Sequence, residues 1–296
     1  MTPDLISRAI VVPKRSKWEM DLEKHNFSPR ALRKWYHARG IDSNRIETSH
    51  IRQYETLRIL KKIIPTSQWI SRDKLTESIV KKSSLLLSVG GDNHFQFLSQ
   101  FISNGKIVAI NSDPLSSEGG AVSFSPPDIP RLMRELEANS LVFDQWSRIQ
   151  AWQKRKKIGP PALSDIFLGE MQRPFMSRHI LKFNGKSEEQ KGSGLLAATG
   201  TGRGGWFQSA QRFNSIPYLE KTDPAFAFGV TEPYSGRISR IHMFNGVVRG
   251  KDELKVYSLN DAQGIMSIDS IRTIDFSMGK EVVLRLGHPL AVGRHW

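Results

Sequence analysis

The sequence predicts two architectures in one chain: an α/β N-terminal domain with a Rossmann-like parallel sheet, and a mostly-β C-terminal domain. Three observations predict it. An apolar run from Leu85 to Val89 ends in Gly90-Gly91, and Phe95, Leu98, Phe101 and Ile102 then fall at helical spacing. Lys106 to Asn111 is again β-rich, which completes the strand–helix–strand order of a parallel βαβ unit. Composition changes near Ser125-Pro126-Pro127, and short strand-like runs dominate beyond it, with Asn184-Gly185 as a hairpin turn between two of them. The domains accordingly divide at 126/127.

Taken in order, Ala9 to Val12 is a β-branched first strand, expected at the centre of the sheet and bounded by Pro13, with Lys14 and Arg15 in the loop that follows. Ser28-Pro29 supplies an N-cap and a first-turn proline for a helix that runs to Arg39 and stops at Gly40. A longer helix is expected from about Ser49 to Pro65, with Ile51, Tyr54, Leu57, Leu60 and Ile64 on one stripe. Ser71 to Lys82 reads as a third helix leading into the Leu85 strand. After the βαβ unit, Asn111 to Gly120 is a polar loop at the same sheet edge as Asp92, and Ile129 to Ala138 is a short helix. The strands expected after it are Ser140 to Trp152, Ile166 to Leu168, Arg178 to Phe183, Gly194 to Ala198, Glu253 to Leu259, Gly264 to Ile268 and Glu281 to Leu286.

Composition narrows the function. With 296 residues, 39% hydrophobic and 24% charged, the chain is expected to be soluble and globular. No run approaches the roughly 20 apolar residues of a membrane helix, and the start of the chain lacks a signal-peptide layout. The absence of cysteine excludes disulfides and thiolate metal sites and agrees with a reducing, cytoplasmic compartment. A net charge of +14 calls for a polyanionic partner, either nucleic acid or a phosphorylated small ligand. Basic residues are scattered, with one compact run at Lys154-Arg155-Lys156-Lys157, and no nucleic-acid module is recognisable, so the small ligand is favoured. No metal-binding spacing connects the histidines, and no metal ligand is expected.

Two glycine-rich stretches carry the candidate chemistry. Gly90-Gly91-Asp92 sits where a strand gives way to a helix, and free amides at a helix start favour phosphate oxygens. An acid there suits a hydroxyl or a metal better than a phosphate, although a plain helix-capping turn is the alternative. The second stretch, Thr199-Gly200-Thr201-Gly202-Arg203-Gly204-Gly205-Trp206, offers close backbone approach, hydroxyls for phosphate or ribose, and an arginine for a phosphate. It lacks the lysine of a Walker A loop and the βαβ setting of a dinucleotide fingerprint.

These stretches, with two others in order, resemble the NAD kinases, in particular the mitochondrial-type branch and its bacterial relatives. Gly90-Gly91-Asp92-Asn93-His94 is similar to the family's Gly-Gly-Asp-Gly-Thr. Asn111-Ser112-Asp113-Pro114 and Ser117-Glu118-Gly119 resemble Asn-Thr-Asp-Pro and Ser-Glu-Gly. Ala162 to Glu170 resembles Ala-Leu-Asn-Glu leading to Phe-Ile-Gly-Glu, with Ser164-Asp165 standing for Asn-Glu. Gly192-Ser193-Gly194-Leu195, Thr199 to Arg203 and Trp206 resemble Ser-Ser-Gly-Leu, Thr-Gly-Thr-Gly-Ser and Trp.

The resemblance implies transfer of the γ-phosphate of ATP, or a phosphate of polyphosphate, to the adenosine ribose 2′-hydroxyl of NAD, with Mg²⁺ carried by ATP. It implies Asp92 as the base, and nucleotide contacts from Gly90, Gly91, Asn93, His94, Asn111 and Asp113. Ser164, Asp165, Thr199, Gly200, Thr201, Gly202, Arg203, Gly205 and Trp206 would hold the adenosine end of NAD. It further implies a β-sandwich-like second domain, a C-terminal tail over 277–296 that returns to the first domain, and a homodimer or higher homo-oligomer in which Ser193 approaches NAD bound by a neighbouring chain. The departures set open questions. Asn93 is read as a glycine substitute able to take a positive φ, His94 as a phosphate donor when protonated or a bystander, and Arg203 as a phosphate ligand or a solvent-facing group. An active kinase and a nucleotide-binding protein without transfer activity both fit these residues.

Overall fold

The computed structural model describes residues 5–117, 119–211, 216–234, 236 and 241–296. The chain divides into two compact units, residues 1–143 with 292–296, and residues 144–291.

In the first unit, β1 (Ala9–Pro13), β2 (Leu85–Val89) and β3 (Lys106–Ile110) pair in parallel. The sheet order is β1-β2-β3, then the chain's last strand Leu290–Gly293, then β4 (Phe143–Trp146). The β2–β3 pair is the βαβ unit that the glycine punctuation predicted. β1, however, lies at the edge and not at the centre, because every later strand is added on the far side of β3. Its free edge is partly covered, since the Ile70 amide donates to the Val11 carbonyl at 2.9 Å.

Six helices accompany this sheet. They are α1 (Lys17–His25), α2 (Pro29–His37), α3 (Ser43–Lys61), α4 (Glu77–Lys82), α5 (Asp92–Ser99) and α6 (Ile129–Glu137). Ser28 caps α2 with Pro29 in the first turn, as its sequence requires. α3 begins earlier than its apolar stripe does, because the Asp42 side chain accepts the Arg45 amide and nucleates the turn at Ser43. The segment expected as one helix over 71–82 is a short 3₁₀ turn, Arg72–Lys74, and then α4, since the Thr76 side chain takes the Ile79 amide and starts a new helix. α6 buries Ile129, Leu132, Met133 and Leu136 in the core of the first unit with Val108, Ile110 and Phe124. The compact unit runs to Phe143, past the proline-marked change of composition at 126, and includes 292–296.

The second unit holds β5 (Ile149–Gln153), β6 (Lys156–Ala162), β7 (Asp165–Glu170), β8 (Ser177–Phe183), β9 (Lys186–Gly192), β10 (Gly194–Ala198), α7 (Trp206–Gln211), β11 (Ala225–Thr231), β12 (Asn245–Arg249), β13 (Leu254–Ser258), β14 (Gly264–Ile268), β15 (Arg272–Asp275) and β16 (Glu281–Leu286). They form two six-stranded sheets, ordered β12-β11-β10-β7-β14-β15 and β6-β5-β16-β13-β8-β9. Both contribute to one apolar core, with Ile166, Leu195 and Phe226 from the first and Ile149, Val256 and Leu284 from the second. Lys154 and Arg155 of the basic run form a two-residue hairpin turn at φ 46° and 65°, like Asn184 and Gly185 at φ 48° and 74°, and Lys156 and Lys157 open β6. Among the described residues no helix is long and apolar enough to cross a membrane.

Candidate functional site

The first unit places Asp92 at the start of α5, directly beyond the buried β2 strand. Gly90 is required by close packing, since a β-carbon there would stand 2.8 Å from the Lys14 β-carbon and 3.0 Å from the His94 ring. The Asp92 carboxylate accepts three backbone amides from the loop after β3. Oδ2 takes Gly120 at 2.9 Å, and Oδ1 takes Ala121 at 2.8 Å and Val122 at 3.2 Å. An ionised carboxylate has about four acceptor positions, so among the described residues one is left over on Oδ2. These amide partners are invisible at the level of sequence, because backbone groups leave no residue signature.

The two departures beside Asp92 behave differently from their reading in the sequence. Asn93 lies inside α5 with an ordinary negative φ, so no left-handed residue is needed there. His94 is buried, and its Nε2 lies 2.9 Å from the Val12 carbonyl oxygen while Nδ1 has no partner. Burial pushes its pKa down to about 4, so the ring is neutral at pH 7 and ties α5 to β1. A protonated His94 serving a phosphate does not match this placement.

Asn111 and Asp113 are both buried. Asn111 donates to the Ser117 carbonyl at 3.0 Å and accepts the Asp113 amide at 3.1 Å, which shapes the loop from within. Asp113 accepts Arg52 Nε at 2.6 Å, Arg52 Nη2 at 3.2 Å and Ser49 Oγ at 2.6 Å. Burial pushes this carboxyl up, but the bonds from Arg52 and Ser49 outweigh it and hold the pKa below its ordinary value. Asp113 therefore fastens α3 to the loop. Glu118, in the Ser-Glu-Gly match, lies outside the described residues.

In the second unit, Ser164, Asp165 and the Thr199 loop come together through the backbone. The Thr199 amide donates to the Ser164 carbonyl at 2.9 Å, and its hydroxyl donates to the Leu163 carbonyl at 2.5 Å. Gly202 packs on Ser164, where a β-carbon would stand 2.3 Å from the carbonyl oxygen, and Gly200 packs on Glu220, where the distance would be 2.0 Å. These two glycines serve contact within the unit. Gly204 meets nothing within 4 Å, and at Gly205 a β-carbon would come no nearer than 3.7 Å to the Gly202 carbonyl oxygen. Asp269, which the motif reading passed over, accepts the Leu163 amide at 3.0 Å, Ser164 at 2.8 Å and Asp165 at 3.1 Å. Burial, with the nearby Asp269 charge, raises the Asp165 pKa to about 7.

Among the described residues, two polar atoms of the loop have no protein partner. Thr201 Oγ1 and Arg203 Nη1 are both buried and unpaired. The Arg203 guanidinium lies 3.5 Å from the centroid of Tyr218, and both residues line a cavity of about 300 Å³. Unmet donors and acceptors beside a cavity favour a ligand with polar or anionic groups. Ser193 and Trp206 line a separate cavity of about 360 Å³ with Phe167, whose ring is 4.9 Å from that of Trp206. Ser193 Oγ donates to Glu232, which also pairs with Arg173 at 2.7 Å. Among the described residues no group of three His, Asp or Glu side chains could hold a metal ion.

The chain shares its fold with solved NAD kinases. It is similar to an NAD kinase from Archaeoglobus fulgidus in complex with ATP, with a TM-score of 0.65 and 18% identity over 97% of this chain and 93% of that one. It is also similar to a yeast NADH kinase complexed with NADH, with a TM-score of 0.68 and 15% identity over 100% of this chain and 85% of that one. No protein-family model matches the chain, and no curated protein sequence matches it.

Proposed function

We propose that the chain is an NAD kinase that transfers the γ-phosphate of ATP, or a phosphate of polyphosphate, to the adenosine ribose 2′-hydroxyl of NAD. The observation that carries this reading is the Asp92 carboxylate at the head of α5, aimed by three amides and, among the described residues, left with one acceptor position. In the proposed step Asp92 takes the 2′-hydroxyl proton as that oxygen bonds to the γ-phosphorus. The bond from phosphorus to the β,γ-bridging oxygen breaks, and ADP, NADP and the proton result. Mg²⁺ enters with the donor phosphates. The Thr199 loop, Arg203 and the Ser164–Asp165 pair hold the adenosine end of NAD, and their unpaired Thr201 and Arg203 atoms support that role. The shared fold supports the reading, as do the ATP and NADH bound by the two similar proteins. We take the protein to be cytoplasmic and to act as a homodimer or higher oligomer, with Ser193 near a neighbour's NAD.

The second reading is a nucleotide-binding protein without transfer. It is favoured if Gly120, Ala121 and Val122 occupy Asp92 too firmly for a hydroxyl to reach it. Incubation with NAD, Mg²⁺ and either ATP or polyphosphate decides between them. The kinase reading expects NADP, formed roughly 10²- to 10⁴-fold more slowly by Asp92→Asn. Tight NAD binding with no NADP from either donor supports the second reading.

A further inference from the structure

Asp269 stands about a hundred positions after the Ser164–Asp165 pair, in the turn between β14 and β15. It is buried and holds φ at 52°, a conformation that Asp and Asn tolerate better than other side-chain-bearing residues. Its own amide donates to the Asp165 carbonyl at 2.9 Å, while its carboxylate accepts the amides of Leu163, Ser164 and Asp165. The Leu163 and Ser164 carbonyls are in turn the acceptors for Thr199. One buried carboxylate therefore fixes the turn from its amide side, and the glycine loop is bolted to the same two residues from their carbonyl side.

We propose that Asp269 is a positioning residue, which holds the Ser164–Asp165 turn against the Thr199 loop and so sets the contact that Asp165 makes with the ligand. The proposal rests on the reading of this pair and loop as the adenosine-binding part for NAD. Three charged groups are involved. Asp165 is raised to about 7 by burial and by Asp269, so its protonated form is populated at neutral pH and can donate a hydrogen bond. Arg148, fully buried, is lowered to about 10 by burial, while the Asp269 charge pulls it back up. Arg148 also donates Nε to the His288 carbonyl at 2.7 Å and Nη2 to the Pro289 carbonyl at 3.3 Å, so it is anchored at the start of β5. Asp165 faces one carboxylate directly and one guanidinium through it. Among the described residues no other charge acts on Asp165.

The test uses the full chain and two variants. Asp269→Asn keeps the shape and the tolerated φ but removes the charge and one acceptor. Carbon NMR of the Asp165 carboxyl should show a midpoint near 7 in the native protein and a lower one in Asp269→Asn, still held above the ordinary carboxylate range by burial, with NAD binding weakened roughly 10- to 100-fold. A folded Asp269→Asn protein with the native midpoint and native NAD affinity overturns the proposal. If that variant does not fold, Asp165→Asn decides. Native NAD affinity should change between pH 6 and 8, and Asp165→Asn should remove the change. A flat native profile, or a variant that follows the native one, counts against it. A shifted midpoint in a protein that never binds NAD keeps the positioning role and removes the functional reading beneath it.

Discussion

Gly200 and Gly204 stand four residues apart in one loop, yet the chain needs only the first of them to be glycine on steric grounds. A β-carbon at 200 would meet the Glu220 carbonyl oxygen at 2.0 Å, whereas at 204 it would meet nothing within 4 Å. Backbone cannot yield as a flexible side chain can, so Gly200→Ala should cost about 1–3 kcal/mol or more. Gly204→Ala should stay within about 0.5 kcal/mol of the native protein. Urea unfolding of the two variants checks this, and equal stabilities would show that the loop is not held on Glu220. Asp92 poses the complementary problem, because the side chain that the chemistry requires is also the acceptor for three amides. Loss of activity in Asp92→Asn is therefore to be read beside its stability, since an amide NH₂ cannot replace both oxygens.

At the scale of elements, what could be read from the sequence was what side chains announce. The Leu85–Val89 run, the two glycines and the helical spacing after them gave β2, α5 and β3, and Ser28-Pro29 gave the start of α2. β9 was missed because Ser187, Glu188, Glu189, Gln190 and Lys191 carry no apolar alternation, and its pairing comes from the hairpin with β8. The edge position of β1 was missed because strand order depends on later strands. Two of the five residues of the expected α3 stripe are exposed, Ile51 at 50% and Tyr54 at 44%, since Leu60 and Ile64, with Leu57 partly buried beside them, make its contact with the core. The amide contacts around Asp92 and Asp269 have no sequence signature at all. The Arg52–Asp113 bond that ties α3 to the loop after β3 was likewise invisible, because its partners lie far apart in sequence. Arg52→Met should cost about 1–3 kcal/mol by stranding a buried carboxylate, measurable by denaturation, and a native-like stability would remove the strap from the account.

The whole molecule has a pH response that follows from three buried groups. Burial lowers His94 and His179 to about 4, and an unfolded chain takes up both protons near 6.5. Asp165 acts in the opposite sense, because its folded pKa near 7 retains a proton that the unfolded carboxyl releases near 3.8. Between pH 5 and 6 the unfolded state thus binds about one more proton than the folded state, and stability should rise with pH by roughly 1.4 kcal/mol per unit. Asp165→Asn removes the opposing group and should about double that slope. Denaturant titrations at pH 5 and 6 test it, and a slope that is flat or falls with pH would contradict these assignments. The charge of +14 adds a field that draws in phosphorylated ligands, in line with a nucleotide substrate and a polyanionic donor. The most direct test of the central claim is a single-turnover reaction of the native protein with NAD, Mg²⁺ and ATP labelled at the γ-phosphate. Label on the 2′-phosphate of NADP is the predicted result; bound NAD that stays unlabelled while ATP remains intact would contradict it.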